Sequence, residues 1–154
     1  MPFAAILPAP FGALGIDCAG EQLAEIRFLP PGTRSHAPET PLAREACAQL
    51  ARWLDDPTHA FDLPLRPAGT AFQRRVWAAI AAIPAGQVRT YGELSTDLES
   101  AARAVGQACG ANPFPIVIPC HRVVARDALG GFANARGGFL IDTKRWLLRH
   151  ERLA

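Results

Sequence analysis

The segment Asn112-Pro113-Phe114-Pro115-Ile116-Val117-Ile118-Pro119-Cys120-His121-Arg122 constrains this chain more than any other, because three prolines fall between Asn112 and Cys120. Each proline fixes its own φ, removes a backbone donor and biases the preceding residue toward extended geometry, so the segment suits neither a helix interior nor a central strand. It reads instead as a stiff connection that delivers a thiol, an imidazole and a guanidinium to one place. Adjacent side chains in an extended run point to opposite faces, so a working Cys120-His121 pair requires a tight turn after Pro119 and a bridging water to carry the proton. Nearby positive charge lowers a cysteine pKa from about 8.5, which makes Cys120 the candidate nucleophile. A rigid mount suits a nucleophile that must meet its target in line. The bland alternative is a buried, inert cysteine beside a surface His-Arg pair, since free cysteine is among the most buried residue types.

With 154 residues the chain can bury a core as one large domain or two small ones, and 49% apolar against 19% charged residues excludes a disordered chain. No run is apolar for long enough to span a bilayer, and Met1-Pro2-Phe3-Ala4-Ala5-Ile6 lacks the basic flank of a secretory signal. The expectation is a cytoplasmic protein with no membrane partner. Charge is unevenly spread: residues 1–68 sum to −3 and residues 69–154 to +5, giving the net +2. A basic C-terminal half beside an acidic N-terminal half points to a polyanion such as nucleic acid. The four cysteines, Cys18, Cys47, Cys109 and Cys120, form no C-x-x-C pair. In a reducing compartment disulfides are not expected, and Cys18, His36, Cys47 and His59 lack the spacing of a zinc site, so no metal is assigned. Cys18 and Cys47 read as strand and helix core.

Local patterning predicts an α+β chain with a boundary at Pro67-Ala68-Gly69: a small α/β domain over residues 1–66 and a mainly helical domain over residues 67–154. Apolar alternation in 11–17 and 22–29 around Ala19-Gly20 predicts a β-hairpin. Thr40-Pro41 is an N-cap with proline at the first helical position, followed by Leu42, Ala46, Leu50, Trp53 and Leu54 at helical spacing. Phe61, Leu63 and Leu65 alternate as a short strand, kept to an edge by Pro64. Thr70 caps a helix carrying Phe72, Val76, Ile80 and Ile83, Thr90 caps a second with Tyr91, Leu94 and Leu98, and Ser100 opens a third over 101–110. The last two make a helix-turn-helix. Residues 144–153 close the chain as an amphipathic helix with Trp146, Leu147 and Leu153 on its apolar face.

The third helix is built of Ala, Val, Gly and Cys apart from Arg103 and Gln107, so its backbone can approach whatever it faces. A long cation on a small-residue surface is what a helix needs to press into a nucleic-acid groove and push a side chain into the base stack. The competing reading is a packing helix with Arg103 solvated at its rim.

The ordered series Gly69-Thr-Ala-Phe-Gln-Arg-Arg-Val-Trp77, Ile83-Pro-Ala-Gly86, Tyr91-Gly-Glu-Leu94, Arg103-Ala-Val-Gly106, Asn112-Pro113, Ile118-Pro-Cys-His-Arg-Val123 and Leu147-Leu-Arg-His-Glu151 resembles the O6-alkylguanine-DNA alkyltransferase family. It covers the C-terminal half densely; the N-terminal half is only compatible with the family's variable α/β domain. The resemblance implies a suicide methyltransferase that repairs DNA by taking the alkyl group from O6 of guanine, with O4 of thymine as a second substrate, onto Cys120 in a single turnover. His121 corresponds to the base acting through a water, Glu151 to the carboxylate orienting it, and Tyr91 to the phenol that helps rotate the nucleotide and donates to the departing purine. Arg103 corresponds to the finger that fills the vacated stack from the minor groove, and Asn112 to the hinge behind the recognition helix. Ala102, Gly106, Gln107 and Arg122 are assigned to the DNA with Arg103 and Tyr91. The partner implied is double-stranded DNA containing O6-alkylguanine, bound by a monomer without a cofactor.

Physical logic supports these roles: a protein reaches the O6 substituent only after extrusion of the base, at a cost of a few kcal/mol. Displacement also leaves negative charge on the purine for a donor such as Tyr91 to stabilise. Two departures from the family pattern stand out. The stretch between Tyr91 and Arg103 is about two residues shorter, and 133–143 is several residues longer, than the family norm. Phe132 stands where tyrosine is frequent. The rivals are a non-catalytic protein that flips the damaged base without repairing it, against which Cys120 argues, and a thiol hydrolase, for which no acyl or peptide pocket is marked.

Overall fold

Apolar alternation along residues 12–29 folds as the expected hairpin, β2 (Gly12–Ala19) with β3 (Gln22–Leu29), turning where Gly20 takes φ of 60°. The computed structural model describes residues 3–132 and 137–152. A preceding strand, β1 (Ala5–Ala9), extends the sheet in the order β1-β2-β3, all antiparallel. Sequence patterning missed β1 because Pro8 interrupts it; an edge strand tolerates a proline whose missing N–H faces away from the ladder. Helix α1 (Pro41–Asp55) starts at Thr40, whose hydroxyl accepts the Ala43 N–H at 3.2 Å, and buries Ala43, Ala46, Leu50 and Trp53. The strand expected over Phe61–Leu65 does not form. Residue 65 makes only an isolated bridge to Leu23, with the Leu23 N–H donating to the Pro64 carbonyl at 2.7 Å. The alternation there is short, and Pro64 has no N–H to extend a ladder. Cys18 and Cys47, expected in the core, are only half-buried.

The chain divides into two compact units, the first ending at Pro67 and the second opening at Ala68. In the second, Thr70 and Gln73 form a reciprocal capping box at the start of α2 (Ala71–Ala81), satisfying two otherwise orphaned backbone donors. Val76 and Ile80 of α2 are fully buried, as are Leu94 and Val105, each such side chain contributing roughly 1.5–3 kcal/mol of burial. Trp77 donates its indole N–H to the Ala108 carbonyl at 2.9 Å, pinning α2 to the fourth helix. Gly69, at φ of 84°, lies so close to that indole that an added Cβ would sit 2.5 Å from the ring.

Strand β4 (Arg89–Thr90) runs directly into α3 (Tyr91–Asp97), where Thr90 and Glu93 form a second capping box. Helix α4 (Ala102–Gly110) follows a turn over 98–101, completing the helix-turn-helix. Glu99 closes that turn in the left-handed region at φ of 53°. The expected cap at Ser100 is absent: Ala101 occupies the N-cap position without a side-chain bond, while the Ser100 N–H donates to the Ser95 carbonyl at 2.8 Å. A 3-10 turn over Cys120–Arg122 leads into β5 (Val123–Val124), which pairs in parallel with β4. The last helix, α5 (Phe139–Arg152), begins at Phe139 rather than Lys144, taking in part of the expected loop. Residues 133–136 of that loop, and Leu153, lie outside the described residues. Trp146 is half-buried and stacks on His150, whereas Ile141, Leu147 and Leu148 supply the buried face. No described helix is long and apolar enough to cross a membrane.

Candidate functional site

The tight turn expected after Pro119 is present: the Arg122 N–H donates to the Pro119 carbonyl at 2.9 Å and Val123 N–H to the Cys120 carbonyl. The approach to it is held from behind by Asn112, whose Nδ2 donates to the Ile118 carbonyl at 2.8 Å and to Cys120 Sγ at 3.0 Å while its Oδ1 accepts the Phe114 N–H at 2.9 Å. One amide therefore grips both ends of the proline-stiffened segment and the sulfur itself. Within that loop the buried Ile116 sits at φ of 74°, a conformation a β-branched residue rarely adopts, costing on the order of 1–3 kcal/mol.

The 3-10 turn sends His121 and Arg122 inward, against α5. His121 Nε2 lies 2.9 Å from Glu151 Oε1, and both side chains are essentially inaccessible. Arg122 Nε donates to both Glu151 oxygens at 3.0 Å, its Nη2 donates to Oε2, and its Nη1 donates to the Ile83 carbonyl. Arg122, expected at the DNA, has its guanidinium buried and bonded to Glu151. Adjacency to His121 in a turn, rather than in an extended run, is what carries Arg122 to the same carboxylate. Burial alone would push the Glu151 carboxyl up, but the His121 and Arg122 bonds outweigh it and hold it below the ordinary carboxylate range. His121 is pulled below the ordinary histidine value by burial, with Glu151 acting in the opposite sense. It is thus a neutral imidazole near neutral pH.

Cys120 is 5% exposed. The neighbouring thiol of Cys109, in the last turn of α4, together with burial pushes the Cys120 pKa well above the ordinary thiol value. Asn112 and the Lys144 ammonium pull the other way. Flanking cations, expected to lower the Cys120 pKa, do not do so here: Arg122 is bonded to Glu151, His121 is neutral, and Cys109 competes for the same negative charge. Cys109 is correspondingly pulled down by Cys120.

Sequence reasoning missed Lys144. It is fully buried, and its Nζ donates to the carbonyls of Val123, Leu129 and Gly131 at 2.8, 2.8 and 3.0 Å. Burial pulls its pKa down to about 8, the Cys109 and Cys120 thiols resisting. Its position on α5 beside Leu147 was the available signal, because a lysine on a buried helical face needs acceptors.

Tyr91 stands at the first position of α3, placed there by the β4–β5 pairing of Arg89 with Val123 and Thr90 with Val124. That two-residue ladder ties the tyrosine to the chain just beyond the reactive turn. The Tyr91 hydroxyl donates to the Gly131 carbonyl at 3.3 Å, and burial followed by the two thiols raises its pKa, so it remains a phenol able to donate. Gly130, at φ of 77°, allows the close approach: a Cβ there would lie 3.1 Å from the Tyr91 ring. Tyr91 also lines an open cleft of about 780 Å³ together with Thr90, Thr96, Ala102, Ala125 and Arg126. On α4, Ala102, Arg103 and Gln107 are exposed and Gly106 is partly so, whereas Val105 and Ala108 face inward. The structure thus brings together Cys120, Asn112 and Tyr91 near Cys109 and Lys144, joins His121 of the reactive turn to Glu151 of α5, and keeps Arg103 on the outer face of α4. Among the described residues no cluster of three metal-binding side chains occurs.

The chain is similar over its sequence and its fold to known proteins. The model of the 6-O-methylguanine DNA methyltransferase DNA-binding domain matches residues 71–153. A methylated-DNA–protein-cysteine methyltransferase of Haemophilus influenzae is 37% identical over 155 aligned positions, covering 95% of this chain and 84% of the relative. Among solved structures, the O6-methylguanine methyltransferase of Mycobacterium tuberculosis superposes with a TM-score of 0.79 at 35% identity, over 96% of this chain and 91% of that one. The same M. tuberculosis protein in complex with DNA gives 0.76 at 35% identity, over 96% and 91% of the two chains. With a small α/β unit, a helix-turn-helix and the reactive turn all in place, the chain belongs to the methylated-DNA–protein-cysteine methyltransferase family of DNA-repair alkyltransferases.

Proposed function

We propose that the protein repairs duplex DNA by moving the methyl group of O6-methylguanine, and of O4-methylthymine, irreversibly onto Cys120. The observation that carries this reading is the grip of Asn112 on Cys120 Sγ, 3.0 Å from amide to sulfur, in a turn whose next residue is tied to Glu151. A buried neutral imidazole that donates Nε2–H to a carboxylate presents its other nitrogen as an acceptor. His121 thus takes the Cys120 proton through a water, Glu151 stabilises the imidazolium that results, and Asn112 and Lys144 stabilise the sulfur anion. The sulfur attacks the methyl carbon, the carbon–O6 bond breaks, and its electron pair passes to the purine. Tyr91, held as a phenol, donates to the leaving base. Because the resting thiol is protonated, deprotonation is coupled to docking of the substrate; an acceptor used once has no turnover rate to protect.

Extrusion of the base belongs to α4. The exposed Arg103 enters the stack from the minor groove while Ala102, Gly106 and Gln107 bring the helix backbone against the DNA. We assign DNA binding and alkyl acceptance to residues 67–154, acting as a monomer. Arg122 has no part in the DNA contact in this reading; it supports Glu151.

Intact-mass measurement after incubation with duplex DNA containing O6-methylguanine tests the proposal. One methyl per chain, mapped to Cys120 and absent in Cys120→Ala, is expected, with lesion binding retained in the variant. An unmodified wild-type protein that still binds the lesion, or a methyl found on another cysteine, would overturn it.

A further inference from the structure

The mechanism above leaves one nucleophile of the site unused. Cys109 ends α4, and Asn112 connects it to the acceptor: the Asn112 backbone N–H donates to the Cys109 carbonyl at 3.2 Å while its side chain donates to Cys120 Sγ at 3.0 Å. The two thiols lie close enough for each to shift the ionisation of the other. They differ in access, since Cys109 is partly exposed and Cys120 is buried. A half-open sulfur beside a closed one, both near the Lys144 ammonium, has the arrangement of a peroxide-sensitive pair.

We propose that Cys109 and Cys120 form a reversible disulfide when the protein meets hydrogen peroxide, making Cys109 a modification site that withdraws the acceptor sulfur and later returns it. The thiolate of Cys109 attacks one peroxide oxygen, the O–O bond breaks, and water leaves after protonation, giving a sulfenic acid. The Cys120 sulfur then displaces the hydroxyl from Cys109, forming the S–S bond and releasing a second water. Two thiols have lost two electrons and two protons to one peroxide, and a thiol reductant reverses the step by exchange. Lysine 144 favours the thiolate that begins the sequence. The fold keeps the resolving partner at hand, so the acceptor is diverted to a recoverable state before it reaches sulfinic acid, which no simple thiol can reverse.

The consequence for repair rests on Cys120 being the acceptor, but the disulfide does not. The full chain is treated with hydrogen peroxide, mapped by peptide mass, and assayed for methyl uptake before and after dithiothreitol. Oxidised protein should have lost two hydrogens per chain and yield one cross-linked peptide pair holding Cys109 and Cys120, with uptake down about tenfold or more and restored on reduction. Cys109→Ser should form no such pair and, at the same peroxide exposure, keep most of its own untreated uptake. Cross-links through Cys18 or Cys47 instead, or equal and irreversible loss in both proteins, would overturn the proposal. A Cys109–Cys120 cross-link that leaves uptake intact would preserve the disulfide and sink the assignment of Cys120 as acceptor.

Discussion

Arg122 and Glu151, the one in the reactive turn and the other near the end of α5, meet in a buried ion pair in which Nε reaches both carboxylate oxygens at 3.0 Å. The same carboxylate carries His121, so two buried partners share one anion. Glu151→Gln should lower stability by about 3–5 kcal/mol, because it leaves a buried guanidinium uncompensated. Adding Arg122→Met should recover most of that stability in urea denaturation while methyl transfer stays slow. Transfer that recovers in step with stability would reduce Glu151 to a structural role.

The depressed pKa of His121 fixes the sign of a pH effect. In the proposed mechanism the neutral form is the active one, and lowering the folded pKa extends that form to more acid solution than the ordinary value of 6.5 would allow. Single-turnover transfer should therefore show its acid break below pH 6.5. A break above that value would mean that Glu151 outweighs burial and raises the imidazole pKa, and activity lost on raising the pH instead would mean that the imidazole acts as a cation.

Arg103 lies on the exposed face of α4. Truncating it to alanine should leave stability within about 0.5 kcal/mol, as for other exposed positions. Repair of duplex DNA should fall at least tenfold, the cost of an unfilled stack being a few kcal/mol. Attack on the free modified base should hardly change. Equal losses on both substrates would contradict a role in extrusion.

Lys144 is charged in the unfolded chain up to its ordinary value of 10.5 but only to about 8 when folded. Below pH 8 the full cost of burying the charge, at most about 3 kcal/mol, weighs on the fold, and it is relieved as pH rises from 8 to 10.5. Wild-type stability measured against Lys144→Met should therefore rise over that interval. A difference that is flat with pH would mean that the three carbonyls alone account for the lysine.

Local features were legible in the sequence wherever one or two neighbouring residues decide the outcome. Threonines at 40, 70 and 90 cap helices because a side-chain oxygen facing the third following N–H is a short-range matter. The prolines around Cys120 likewise forced a stiff connection and a turn, and the exposed face of α4 followed from its small residues. The tertiary structure alone decided the electrostatics. Arg122 bonded Glu151, Lys144 found the carbonyls of Val123, Leu129 and Gly131, and Cys109 came to perturb the ionisation of Cys120. The β4–β5 ladder that seats Tyr91 is equally nonlocal, two residues on each side and too short for any periodicity to announce. Burial makes the difference: once water is excluded each charge must find a partner, and that partner is set by how distant segments pack rather than by what stands beside it in the chain.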